Sequence, residues 1–172
     1  DLFSKFRVKY PKSTFIYAGG LHPPTAKFGQ KYMMDCMRKI MNLGMTNKDF
    51  MITGYVPEDE LLKYYGAANA YILNYLPSGY ISASGCAAKL VGTGKPIITT
   101  GETYRNEELT GGKNCIKVEA GNMEAMLAAT INILEDKYKY DEITKGALEY
   151  AKDNSWENTA KKHVKLYEEV IK

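Results

Sequence analysis

The stretch 71–100, YILNYLPSGYISASGCAAKLVGTGKPIITT, decides the fold of this chain. It consists of an apolar segment, a loop rich in glycine and serine, a run of small residues, a glycine stop and a second apolar segment. This order predicts a strand, a short helix and a parallel strand, with the helix beginning close to the end of the first strand. Such a helix start binds anions, usually phosphate, because its backbone N–H groups point outward.

Strands and helices alternate along the rest of the chain. Apolar runs predict five strands, at 14–19, 49–53, 70–75, 96–100 and 115–118. Apolar residues spaced three to four apart predict helices at 1–10, 28–43, 58–69, 82–92, 123–134, 140–152 and 156–171. Because the strands are apolar without a regular alternation, we predict an α/β, doubly wound Rossmann-like parallel sheet with helices on both faces. Residues 1–172 are expected to form one such domain.

Composition excludes several classes of protein. The 172 residues carry a net charge of only +3, with the lysines spread out, so no basic field indicates nucleic-acid binding. No apolar run approaches the roughly 18 residues of a membrane span, and no signal sequence opens the chain. We therefore expect a cytoplasmic protein. Because Asp1 already lies in a predicted helix, we also expect this chain to be part of a longer one.

Cysteine and histidine patterns give no metal site. Cys36, Cys86 and Cys115 are far apart and outside CxxC pairs, which favours buried free thiols in a reducing compartment. His22 and His163 have no cysteine or acidic cluster beside them, so no metal and no cofactor are expected. His163 has the spacing of a packing residue, as do the apolar residues Tyr32, Met33, Cys36, Met37, Ile40 and Met41 of the second helix.

The central loop is the candidate site. Ligands of doubly wound sheets lie outside the carboxyl ends of the strands, so the loops around this edge should converge on one crevice. Ser82 and Ser84 can cap the helix, and Gly85 lacks the Cβ that would keep an oxygen from the amides of Ser84, Gly85 and Cys86. A diphosphate would fit there, although an ordinary serine-capped helix start explains the same residues equally well.

Two further candidates follow neighbouring strands. His22 comes just after the strand at 14–19 and could touch a base, a phosphate or a sugar hydroxyl. Glu107 and Glu108 follow the strand at 96–100, where they would either meet ligand hydroxyls or remain solvated turn carboxylates. Neither a Walker loop nor a GxSxG nucleophile motif is present in the sequence.

The order of short motifs resembles the C-terminal domain of GT-B-fold retaining glycosyltransferases, the group 1 family. The resemblance covers nearly the whole chain and is carried by FIYAGGLHP from Phe15, ITGYVP from Ile52, YLP from Tyr75, ASG from Ala83, GKPII from Gly94 and the closing helix after Ser155. It implies that this domain binds a nucleotide-diphosphate sugar, of the UDP or GDP type. A hexose of the mannose or glucose type would be transferred, with retention of its anomeric configuration, to a glycan or lipid-linked acceptor.

The resemblance also implies roles for individual residues. Gly54, Tyr55 and Val56 would lie by the base, residues 75–80, with Tyr75 and Pro77, beside the nucleotide and sugar, and Ser84, Gly85 and Cys86 under the diphosphate. The predicted donor site also includes Gly20, His22, Ser82 and Glu108. The acceptor would bind an N-terminal domain outside this chain, no protein metal would be needed, and the full enzyme could contact the inner face of a membrane peripherally. This chain alone would be inactive.

Two departures from the family pattern stand out. Ile81 and Lys89 occupy the positions where many members carry paired glutamates. The family's first strand should precede Asp1, so we expect either a gap at the centre of the sheet or direct pairing of the strands at 14–19 and 70–75. The departures leave two alternatives to a transferase, a nucleotide-binding or interaction domain that has lost catalysis and an unrelated doubly wound enzyme.

Overall fold

The computed structural model describes residues 1–20, 26–75, 84–101 and 108–171. The elements in chain order are α1 (Leu2–Lys9), β1 (Phe15–Ala18), α2 (Ala26–Asn42), β2 (Phe50–Gly54), α3 (Glu58–Ala67), β3 (Tyr71–Leu73), α4 (Gly85–Leu90), β4 (Ile97–Thr100), β5 (Ile116–Val118), α5 (Met123–Glu135), α6 (Lys137–Asp153) and α7 (Trp156–Val170). A 3₁₀ turn, Val91–Thr93, follows α4. The chain divides into two compact units, unit 1 (Asp1–Ala67) and unit 2 (Ala68–Lys172).

Unit 1 is organised around a two-stranded parallel sheet and an aromatic cluster. β1 and β2 pair from Phe15 opposite Phe50 to Ala18 opposite Gly54. The rings of these two phenylalanines stack at 4.8 Å between centroids, and Phe3 of α1 packs 5.5 Å from Phe15. Aromatic burial therefore attaches α1 to the sheet.

Unit 2 contains a three-stranded parallel sheet in the order β3-β4-β5. Tyr71 lies opposite Ile97, and Ile98 lies opposite Ile116. All four residues of β4 are buried, because β4 is the central strand and α5 packs against it and against β5. α6 in turn packs against α5 and the 3₁₀ turn. Continuous burial of β4 agrees with its lack of an alternating polar pattern, and its two threonines are buried together with its two isoleucines.

The predicted fold class is confirmed, since the named strand pairs are parallel and helices flank them. The five strands lie within two residues of their predicted bounds. Direct pairing of the strands at 14–19 and 70–75 was one predicted outcome, and it is wrong for the described residues, in which β1 pairs with β2 and β3 pairs with β4. The other predicted outcome, a gap at the centre of the sheet, stays a prediction. The prediction that residues 1–172 form one domain stays a prediction.

Three local predictions need correction. α6 begins at Lys137 rather than at residue 140, because the Asp136 carboxylate accepts a hydrogen bond from the Lys139 N–H at 2.9 Å and caps the helix. Met37 and Met41 are exposed, so they do not fill the core. His163 is also exposed, with Nδ1 2.8 Å from the Thr159 carbonyl, and is not a packing residue.

α7 differs from the other helices of unit 2. It has no buried residue, and Trp156 at its start is 91% exposed. Within the described ranges, none of the helices combines the length and the apolar character needed to cross a membrane.

Candidate functional site

The carboxyl ends of β3 and β4 are joined by the side chain of Thr100. Its Oγ1 accepts a hydrogen bond from the Tyr75 N–H at 2.7 Å and donates one to the Tyr75 carbonyl at 2.6 Å. The preceding Thr99 hydroxyl donates to the Leu73 carbonyl at 3.1 Å. Thr100 is only 4% exposed, so water cannot easily replace these bonds. The backbone of Tyr75 is therefore held firmly, two residues after β3 ends.

Ser84 caps α4 and contacts Tyr75. Its backbone is extended (φ −108°, ψ 110°), and its Oγ accepts a hydrogen bond from the Ala87 N–H at 3.1 Å. The Tyr75 phenol oxygen lies 2.6 Å from the same Oγ. The predicted capping role of Ser84 is confirmed, and the structure brings two predicted site residues, Tyr75 and Ser84, into direct contact.

The first turn of α4 is open on the outside. A Cβ placed on Gly85 would meet no atom of the described residues within 4 Å, and Cys86 is exposed. The first N–H groups of any helix lack acceptors within that helix. α4 has only six residues, however, so its dipole is weaker than the predicted helix at 82–92 would provide. Donor groups of individual residues, rather than the dipole, would have to hold an anion here.

A buried asparagine fixes the turn that carries Glu108. The Asn114 Nδ2 donates to the Glu108 carbonyl at 2.8 Å, and its Oδ1 accepts from the Thr110 N–H at 2.7 Å. Asn114 is 1% exposed. The Glu108 Oε2 has less than 1 Å² of accessible surface and no hydrogen-bond partner in the part of the chain that the structure describes. This oxygen is not that of a solvated turn carboxylate, one of the two interpretations that the sequence left open.

The Glu108 turn lies beside the carboxyl end of β4. Gly101, directly after β4, and Gly111 both lie against the side chain of Lys117 in β5. A Cβ on Gly101 would be 3.1 Å from the Lys117 Cδ, and one on Gly111 would be 3.3 Å from the Lys117 Cβ. The Lys117 side chain therefore lies between the residue that follows β4 and the turn at 108–114.

Unit 1 brings its own predicted residues together at the ends of β1 and β2. The Gly19 N–H donates to the Thr53 hydroxyl at 3.3 Å, and a Cβ on Gly20 would lie 3.5 Å from the Tyr55 nitrogen. Gly54 has a φ of +69°, which favours glycine and turns the chain after β2. Tyr55 is 90% exposed and Val56 is half-buried.

Several predictions about the site remain untested. His22, Pro77 and Ser82 lie outside the described residues. The convergence of the loops of both units on one crevice also stays a prediction. A cavity of about 400 Å³ beside α3 and one of about 370 Å³ on α6 contain none of the predicted site residues.

Sequence reasoning missed Thr100 and Asn114, whose side chains position the site. The consecutive threonines that end the apolar strand at 96–100 were the available signal for Thr100. Asn114 is one of the residues that carry the family resemblance, but the resemblance implied no role for it.

Of the three thiols, only Cys115 is buried, and burial raises its pKa to about 11. The expectation of buried thiols is wrong for the exposed Cys86, because α4 is covered on one side only. Among the described residues, no group of three or more His, Cys, Asp and Glu side chains could hold a metal ion.

No protein-family model matches the sequence, and no curated protein is significantly similar to it. Solved structures, however, match most of the chain. The C-terminal domain of a glycosyl transferase group 1 family protein (LpcC) from Francisella tularensis aligns with a TM-score of 0.69 at 15% identity, covering 89% of this chain and 76% of that one. This chain has the fold of a GT-B glycosyltransferase C-terminal domain.

Longer proteins give similar matches. Sucrose-phosphate synthase from Thermosynechococcus elongatus aligns with a TM-score of 0.74 at 18% identity, over 99% of this chain and 41% of that chain. Anabaena HepE in complex with UDP aligns with a TM-score of 0.71 at 16% identity, over 87% and 39%. This chain therefore spans less than half the length of these two proteins. Identities this low establish the shared fold and not a shared activity.

Proposed function

We propose that this chain is the donor-binding domain of a retaining glycosyltransferase. The enzyme transfers a hexose of the mannose or glucose type from a nucleotide-diphosphate sugar to a glycan or lipid-linked acceptor. The observation that carries the proposal is the hydrogen-bonded cluster of Thr100, Tyr75 and Ser84 at the carboxyl ends of β3 and β4. The cluster belongs to a fold in which HepE was solved with UDP, which supports a donor of the UDP type.

The cluster prepares the Ser84 hydroxyl to bind an anion. A serine hydroxyl can accept two hydrogen bonds and donate one. The Ala87 N–H uses one acceptor position. Either oxygen of the Tyr75–Ser84 pair could be the donor, and in the proposed arrangement the Tyr75 phenol donates to the second position. The Ser84 proton then points to a phosphate oxygen. Fixed donors of this kind stabilise the charge that develops on the departing diphosphate without reorganising during the reaction.

Other parts of the proposal concern the rest of the donor and the acceptor. Gly54, Tyr55 and Val56 lie by the nucleotide base, where the exposed Tyr55 ring offers an aromatic face for stacking. Gly20 and His22 are further contacts of the donor, and His22 touches its base, a phosphate or a sugar hydroxyl. Tyr75, Pro77 and Ser82 lie beside the nucleotide and sugar.

The acceptor binds a further domain, and no metal or cofactor takes part. The full enzyme acts in the cytoplasm, with peripheral contact to the inner face of a membrane.

Calorimetric titration with UDP, GDP and ADP, each with and without an attached sugar, tests the donor site. We expect saturable binding of one of them, weakened by about tenfold in Ser84→Ala through loss of a charge-assisted hydrogen bond. Ser155→Ala is the matched control, since Ser155 caps α7 in the same way by accepting from the Asn158 N–H. Equal affinity in the two variants, or no binding by the unaltered chain, would contradict the proposal.

A second candidate is a nucleotide-binding or interaction domain without catalysis. It is favoured by Lys89 in the last turn of α4, a cation where many members of the resembled family carry a carboxylate. Both candidates bind nucleotide, so turnover separates them. If the longer parent chain releases no nucleotide diphosphate with any donor and acceptor pair although it binds the donor, the second candidate is correct.

A further inference from the structure

We infer that Thr100 is a positioning residue for the donor, which acts through Tyr75 on the Ser84 hydroxyl without touching the donor itself. The inference rests on the proposed donor-binding function and adds to it a buried residue outside the contact surface. It is carried by four hydrogen bonds that connect the end of β4 with the start of α4.

The first step concerns the main chain of Tyr75. The Thr100 Oγ1 accepts from its N–H at 2.7 Å and donates to its carbonyl at 2.6 Å, so one hydroxyl fixes both polar groups of that residue. A hydroxyl can accept and donate at the same time, which an aliphatic side chain of the same shape cannot. Thr100 itself is 4% exposed and lies opposite Val118 in the parallel pairing of β4 with β5. The Cα of Tyr75 is therefore held in place before any ligand arrives.

The second step leads from this main chain to Ser84. Side chains occupy few rotamers, so a fixed Tyr75 backbone leaves its phenol oxygen few positions. In the structure this oxygen lies 2.6 Å from the Ser84 Oγ, nine residues further along the chain. Loss of the Thr100 hydroxyl releases the main chain of Tyr75, and the phenol is then no longer held within hydrogen-bond distance of Ser84.

The third step concerns the hydrogen-bonding capacity of the Ser84 hydroxyl. One acceptor position takes the Ala87 N–H at 3.1 Å. A phenol is more acidic than an aliphatic alcohol and is the better donor, which favours donation from Tyr75 into the second acceptor position. Only the Ser84 proton is then left for a ligand, and its best partner is an oxygen that carries no hydrogen, such as a phosphate oxygen. Thr100 thus raises the affinity for the diphosphate, whereas the affinity for the nucleoside alone does not depend on it.

The test separates the diphosphate from the nucleoside. The unaltered chain, Thr100→Val, Thr100→Ser and Tyr75→Phe are titrated with UDP and with uridine, or with GDP or ADP and the corresponding nucleoside if UDP does not bind. We expect Thr100→Val and Tyr75→Phe to bind UDP about fivefold more weakly, the net effect of one hydrogen bond, and to bind uridine unchanged. Thr100→Ser keeps the hydroxyl, so its UDP affinity should stay within about twofold of that of the unaltered chain.

Two further variants separate positioning from general stability. Thr130→Val removes another buried threonine hydroxyl of unit 2, which donates to the Met126 carbonyl within α5 at 2.7 Å, and should leave the UDP affinity unchanged. Thr100→Val combined with Tyr75→Phe should bind UDP no more than about twofold more weakly than Tyr75→Phe alone, because Thr100 acts only through the phenol. Tyr75→Phe leaves both main-chain bonds intact, so it tests the role of the phenol even if Thr100→Val does not fold.

The inference is overturned if folded Thr100→Val or Tyr75→Phe binds UDP as tightly as the unaltered chain, or if Thr100→Ser binds it as weakly as Thr100→Val. It is also overturned if the two losses add in the double variant, or if the affinities for UDP and uridine fall equally, since an equal fall indicates a general loss of structure. Failure of the unaltered chain to bind any nucleoside diphosphate would instead overturn the proposed function.

Discussion

The sheets of the two units differ in how deeply their strands are buried. All four residues of β4 are buried, whereas β1 has two half-buried and two exposed residues and β2 is half-buried throughout. Among the described residues of unit 1, only Phe3 and Phe6 are buried, and both belong to α1. β4 has a strand on each side, but both strands of a two-stranded sheet lie at an edge. The polar groups at the end of β4 are consequently held by a packed core, as a preorganised site requires.

Replacing one helical glycine in each unit by alanine should give the largest difference between the units in the free energy of unfolding. Gly146→Ala would place a methyl group on the Lys113 carbonyl oxygen, so α6 or the turn at 108–114 must move. We expect a loss of about 3 kcal/mol in the free energy of unfolding. Within the part of the chain that the structure describes, a Cβ on Gly66 in α3 would meet no atom within 4 Å, so Gly66→Ala should stabilise the chain by about 0.5 kcal/mol through helix propensity. Urea unfolding measures both changes, and equal values would show that unit 2 is not packed as tightly as described.

Replacing one threonine at a strand end in each unit by valine should give a smaller difference in the free energy of unfolding. Thr100→Val leaves the Tyr75 N–H and carbonyl without the partner that they share, in a buried position. We expect a loss of about 2 kcal/mol and weaker UDP binding, since Tyr75 no longer positions Ser84. Thr53→Val in unit 1 removes bonds to Gly19 and Gly54 in a partly exposed position, where water can replace them. Its cost should stay below about 1 kcal/mol. A larger loss from Thr53→Val would reverse the comparison.

The last prediction concerns the pH dependence of the stability of unit 2. Burial raises the pKa of the Cys115 thiol from 9.0 to about 11. Between these values the unfolded chain loses this proton and the folded chain keeps it, so stability should fall as the pH rises from about 9 to 11. In Cys115→Ala the decline over this range should be shallower. If urea unfolding gives identical pH slopes for both proteins, the buried thiol does not contribute.

The sequence was sufficient for the strands, because apolar runs bounded by glycine and proline record burial directly. It was also sufficient for the Ser84 cap, which depends only on groups three residues apart. It failed for Met41 and His163, because periodicity defines a face of a helix but not what covers that face.

The side chains that support the site could not be predicted from the sequence for a related reason. Thr100 binds backbone groups 25 residues away, a contact that exists only once β3 and β4 have paired. Asn114 bridges Glu108 and Thr110 from inside the core, although its residue type favours exposed turns. The burial of one oxygen of Glu108 likewise depends on tertiary packing and not on the local sequence.

Amide hydrogen exchange with and without saturating UDP tests the central claim, a nucleotide-diphosphate site at the carboxyl edge of unit 2. The account predicts slower exchange in α4 and in the turn at 108–114, with the exposed helix α7 unchanged as an internal reference. Exchange that is unaffected in α4 and in this turn by UDP, GDP and ADP alike would contradict it.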